Sequence, residues 1–162
     1  MIENLILGIV TIEVCVTIQC VVLAIVLGVV YDLDRRQLIR PTILGASSLL
    51  GGIMVVMLAG NLLQMTIWAE LFLYYGEFED FATAFYHSVV NFTTLGYGDV
   101  VMSEERRLLG ALEAGNGVLM FGLTTGFVYA VLHAVMRRGW DRQLVLDGAS
   151  NGSPQGKSDE ST

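Results

Sequence analysis

Between residues 93 and 99 the chain reads Thr93-Thr94-Leu95-Gly96-Tyr97-Gly98-Asp99. These types, in this order, suit one kind of chemistry: holding a dehydrated cation with peptide oxygens. A bare ion in hydrocarbon is prohibitively costly, so its water shell must be replaced by protein oxygens. Backbone carbonyls serve if several in succession aim at one axis. An ordinary strand points alternate carbonyls to opposite sides. Turning them all one way requires positive φ at intervals, which glycine tolerates best. Gly96 and Gly98 sit two apart, as that alternation needs. The expected ligands are the Thr94 hydroxyl and carbonyl and the carbonyls of Leu95, Gly96 and Tyr97. One chain supplies one strand of such a cage and cannot enclose an ion. Fourfold assembly is therefore expected, and it also keeps irregular backbone away from lipid.

Such a segment must be carried by elements that hold it inside a membrane. The chain has 162 residues, 54% of them hydrophobic, which is too apolar for an ordinary soluble domain. Three stretches, 5–31, 42–68 and 108–136, reach the roughly 20 apolar residues a spanning helix needs. A fourth, 81–92, is too short to span and fits a re-entrant helix. It should begin near Asp80, with Glu79 and Asp80 favoured at its first turn, and its C-terminus should offer partial negative charge to a cation. The basic residues Arg35, Arg36 and Arg40, then Arg137, Arg138 and Arg142, flank the first and last spans on one side. The positive-inside rule makes that side cytoplasmic, with the N-terminus outside and the C-terminus inside. The connection 70–107 is then external. Pro41 suits the first turn of the second span. Trp68, Phe72, Tyr74 and Tyr75 fall where an outer aromatic belt belongs, and Tyr31 and Trp140 near the inner interface. The N-terminus lacks the basic region of a signal peptide, so the first stretch reads as a retained helix. From about Asp141 onward the composition predicts disorder. A net charge of −7 argues against nucleic-acid binding. Cys15 and Cys20 read as buried, reduced, small hydrophobes with no metal-ligand spacing.

The run Thr94-Leu95-Gly96-Tyr97-Gly98-Asp99 resembles the filter of the potassium channel family with one re-entrant pore loop per subunit, whose pattern is T-x-G-[YF]-G, often followed by Asp. Leu95 takes the variable place, where valine or isoleucine is commoner. The resemblance implies an all-α membrane protein with three transmembrane helices per chain, a re-entrant pore helix and a filter loop, assembled as a homotetramer. It implies a pore domain over 42–136, with outer helix 42–75, pore helix 80–92, filter 93–99 and inner helix 106–136. Residues 1–31 form an extra helix, 32–41 a cytoplasmic loop, and 137–162 a mostly disordered tail. It implies a potassium-selective channel subunit, with K+ held at Thr94, Leu95, Gly96 and Tyr97. Three identical subunits and membrane lipid are then the partners, in the plasma membrane, or the inner membrane of a bacterium. No cofactor is expected beyond permeant K+, and no small molecule other than K+.

Around the filter, Thr93, Gly98 and Asp99 are its expected supports. Tyr86 and His87 occupy the places of an aromatic pair that braces it, with Tyr97 the expected neighbour of Tyr86. His87 departs from that pattern and is expected to hydrogen-bond behind the filter, its alternative being a pH sensor. Val90 replaces a glutamate that pairs in several members with the aspartate after the filter, so Asp99 must find another partner or face water. Glu113, two turns into the last span, is expected to supply the missing carboxylate behind the filter. In the resemblance the inner helix bends at a glycine. Gly122 is the expected hinge and Gly126 the second choice, with close helix packing as the alternative reading. Gly126, Ala130 and Ala134 then share a face toward the cytoplasmic mouth, near His133.

The extra helix has no spaced arginines and is not a voltage sensor. Its face Glu13, Thr17, Cys20 and Ala24 is expected to pack on the core, with Glu13 bonding Asn61 or Gln64. The competing readings are a potassium transporter subunit, which usually fuses four degenerate pore segments, and a non-conducting scaffold or assembly partner. No nucleophile–base set appears, so an enzyme is not expected.

Overall fold

The computed structural model of the chain describes residues 1–36 and 43–151. Among them the regular structure is all helix: α1 (Ile2–Arg35), α2 (Ile43–Tyr74), α3 (Phe81–Phe92) and α4 (Arg107–Asn151). Three of these helices are long and apolar enough to cross a membrane, over Ile2–Arg35, Leu44–Tyr74 and Arg107–Ala134. The 12 residues of α3 reach only about 18 Å, short of a hydrocarbon core. The class expected from the sequence is the one found, an all-α membrane protein.

α1 runs parallel to α4 and antiparallel to α2. Asn4 Nδ2 of α1 donates to the Glu105 carbonyl just before α4, at 2.5 Å. Further along, Gly8 lies against Leu112 and Gln19 meets Thr124. Val26 clusters with Val131 and with Ile53 and Met57 of α2. At the other end of the bundle a larger cluster joins Cys15, Met65, Trp68, Phe72, Phe92, Leu109 and Met120, one contribution or more from every helix. Packing density of this kind, rather than hydrophobicity, is what associates helices in lipid.

Three expectations are corrected. Trp68 and Phe72 are fully buried between helices, not in an aromatic belt, because the same face of α2 receives α3 and α4. Tyr74 remains exposed, and Tyr75 carries the Arg106 guanidinium 4.0 Å above its ring. On α1 the buried residues are Asn4, Gly8, Thr11, Cys15, Gln19 and Val26. Glu13, Thr17, Cys20 and Ala24 are exposed in the protomer. The polar residues of α1 occupy two faces, and the small-residue one that includes Gly8 allows α4 closest approach. Finally, α4 does not end near 136 but continues to Asn151, past the expected onset of disorder. Arg142, Gln143, Leu144 and Leu146 are good helix formers that extend it. Arg40, Pro41, the tail 152–162 and the side chains of Arg138, Trp140 and Arg142 lie outside what is described.

Candidate ion-coordinating site

α3 is placed by its cap. Asp80 is its N-cap, with Oδ1 accepting from the Thr83 amide at 2.9 Å and Oδ2 from the Thr83 hydroxyl at 2.7 Å. These bonds, first the amide and then the hydroxyl, hold the Asp80 carboxyl below its ordinary range. Ala84, His87, Ser88, Val90 and Phe92 turn inward, at a spacing that gives one buried face. The helix ends where its own carbonyls are taken by the segment that follows. Thr94 N donates to Asn91 O at 2.8 Å, and Leu95 N and Gly96 N both donate to Val90 O, at 2.9 and 3.3 Å. Thr93 Oγ1 donates to Val89 O at 2.8 Å. The first amides of the segment are thus turned back onto α3.

Positive φ recurs at every second residue beyond that point: 59° at Thr94, 57° at Gly96 and 75° at Gly98. Leu95 and Tyr97 between them keep the ordinary sign. Alternating handedness works against the strand's alternation of carbonyl direction. Sequence reasoning anticipated this at the two glycines. It missed Thr94, a β-branched residue for which positive φ is a genuine outlier. Strain of this kind persists where the surroundings over-determine it, here the bonds to Asn91 and Val90. Residues 93–99 are all exposed in the protomer. Among the described residues no cluster of His, Cys, Asp or Glu is arranged to hold a metal.

The surroundings resolve several open points. Asp99 Oδ2 accepts from Tyr86 Oη at 2.7 Å, and that bond lowers the Asp99 pKa and raises that of Tyr86. Tyr86 therefore meets the far end of the segment through Asp99; Tyr97 is 66% exposed in the protomer. His87 is buried, packed at 5.5 Å against the Phe72 ring and 4.9 Å against Phe78. Its Nδ1 has no hydrogen-bond partner among the described residues. Glu113 is fully buried, its Oε1 sharing a short hydrogen bond with Ser88 Oγ, whose oxygen also lies 2.8 Å from Met65 O. The sequence placed this carboxyl group behind residues 93–99; the contact it makes is with Ser88 of α3, which was not foreseen.

The close approach of α4 to α3 occurs at Gly117. A Cβ there would drive into the carbonyl of Phe92, the last residue of α3. Gly122 and Gly126 are exposed, and a Cβ at either would meet nothing within 4 Å. Within the protomer they are not packing glycines. Ala130, His133 and Ala134 are likewise exposed, with His133 stacked on Tyr129 at 6.1 Å between centroids. On the other flank, Glu77 accepts from Ser103 N and Oγ, each at 2.8 Å, and pairs with Arg106 Nε at 3.5 Å. This ties the α2–α3 turn to the segment leading into α4, a contact between loops that no periodicity signals.

Three membrane-length helices, with the short α3 and a buried carboxyl group packed among them, define an all-α membrane protein. The chain belongs to the ion channel family, whose profile matches residues 53–134, just over half of its length and the whole of α3 and residues 93–99. No curated protein and no solved structure matches it.

Proposed function

We propose that the protein is one subunit of a potassium-selective channel. Four copies surround one pore, with K+ held by the Thr94 hydroxyl and carbonyl and by the carbonyls of Leu95, Gly96 and Tyr97. The observation that carries this reading is the positive φ at Thr94, Gly96 and Gly98 in a segment whose first amides are bonded back to α3. Oxygens aimed one way replace the ion's water, and four strands close the cage. Exposure of the whole segment in the single chain fits a surface that neighbouring copies complete. Thr93, Gly98, Asp99, Tyr86, His87 and Glu113 support it. Gly122 is the hinge of the inner helix, with Gly126 below it. The filter lies toward the outside, the N-terminus is external and the C-terminus cytoplasmic.

The test is flux in liposomes holding the pure protein. Thallium or potassium should pass and sodium should not, and Gly96→Ala should reduce flux to background. Equal sodium and potassium flux would overturn selectivity. No flux under any gating condition would favour a scaffold that uses the pore fold without conducting.

A further inference from the structure

Gln19 of α1 is fully buried in the middle of a span, where a polar side chain is rare and usually functional. Its amide touches both other spans. Oε1 accepts from Gln64 Nε2 of α2 at 2.8 Å, and Nε2 donates to Thr124 Oγ1 of α4 at 3.3 Å and lies 3.7 Å from Met57 Sδ. Thr124 stands two residues after Gly122 and two before Gly126. Around it α4 is an unbroken helix, and neither glycine meets a neighbour. Between the two glycines the polar hold is the Thr124 bond; Phe121 against Phe92 and Val131 in the Val26 cluster pack the helix on either side.

We propose that Gln19 is a positioning residue that keeps α4 unbent by gripping Thr124, so that α1 acts as a brace on the gate. The inference rests on the channel reading above, with Gly122 as the hinge and the bent helix as the conducting state. Bending at Gly122 carries Thr124 away with the distal half of α4. Gln19 cannot follow, because Gln64 holds its oxygen and Val26, Ile53 and Met57 pack α1 to α2 just beyond. The bond is therefore made in one state and broken in the other, and a differential contact of that kind shifts a two-state equilibrium. An interhelical hydrogen bond in a membrane averages about 0.6 kcal/mol, which is about threefold in the equilibrium for each subunit and about fiftyfold if four act together.

The experiment is bilayer recording of the full chain at fixed voltage and symmetrical potassium, comparing wild type with Gln19→Leu, Thr124→Val and the double variant. Each single variant should raise open probability by about threefold per subunit. The double should not exceed Gln19→Leu, because the Gln19–Thr124 bond is already lost in each single variant, Gln19→Leu losing the Gln64 bond as well. The potassium-over-sodium reversal potential should stay put, which a generally damaged fold would not allow. Should Gln19→Leu fail to assemble, Thr124→Val, nearly isosteric, reads the same bond from α4. Unchanged or lowered open probability, or additive effects in the double variant, overturns the brace while leaving the channel intact. A wild type that passes no potassium current refutes the channel reading, and the brace with it.

Discussion

Thr94, Gly96 and Gly98 share a left-handed backbone, yet they tolerate it for different reasons. A glycine has no Cβ to clash. Thr94 is held there by its amide bond to Asn91 and by the two bonds its successors make to Val90. Replacing Gly96 by alanine brings a cost of about 1–2 kcal/mol in each chain. We expect Gly96→Ala to abolish potassium flux while leaving helix content, read by circular dichroism, unchanged. Tyr86 and Asp99 give a second prediction. Because the Tyr86 bond lowers the Asp99 pKa, its contribution is complete above the ordinary aspartate value of 3.8 and fades as pH falls through the lowered one. External acidification from pH 7 to 5 should therefore not disturb this brace, whereas Tyr86→Phe should speed inactivation throughout that range. Recordings with stepped external pH check both halves. Glu113 gives a third. Its bond from Ser88 sits where the carboxylate braces α3 from behind, so Glu113→Gln should alter open probability and inactivation. Unchanged values would remove it from the supports of residues 93–99.

Packing between helices turns on small residues at places a hydropathy profile does not distinguish. Gly117 lets α4 slide under the end of α3, with the Phe92 carbonyl where a side chain would be. Overpacking of this kind costs about 1–3 kcal/mol. Gly117→Ala should lower the melting temperature of the protein in detergent. Gly51→Ala, on an exposed part of α2 with nothing within 4 Å, should not. α1 is fastened to α4 at both ends of their contact, through Asn4 at the Glu105 carbonyl and through Val26 at Val131. It is an integral part of the bundle rather than an appendage to it.

Assembly and orientation belong to the whole molecule. The single chain leaves residues 93–99 and the Gly122, Gly126, Ala130 and Ala134 positions of α4 exposed. A fourfold axis that gathers both sets would place the segment above and the α4 surface below it along one path. Native mass spectrometry in detergent should find four copies, and a stable monomer would refute the pore. For orientation, a membrane-impermeant maleimide should label Glu79→Cys from outside the cell and should not reach Arg36→Cys.

Much of this was legible in the residue order. Hydropathy marks three spans and one short helix because a bilayer imposes length on any apolar segment, and the glycine spacing at 96 and 98 marks where φ turns positive because backbone chirality does. Depth alone set Glu113 at the level of residues 93–99, but not its contact with Ser88 of α3. What order could not reveal was which of two polar faces of α1 meets the core, that Tyr86 would serve Asp99, that Trp68 and Phe72 would be buried, or that Gly117 would be the point of contact. Those outcomes depend on how helices rotate against one another, and rotation is decided by the sum of side-chain volumes at a contact, many residues apart in the chain. Local chemistry and membrane thickness were written in the sequence by itself; partnership between distant side chains came only with the tertiary packing.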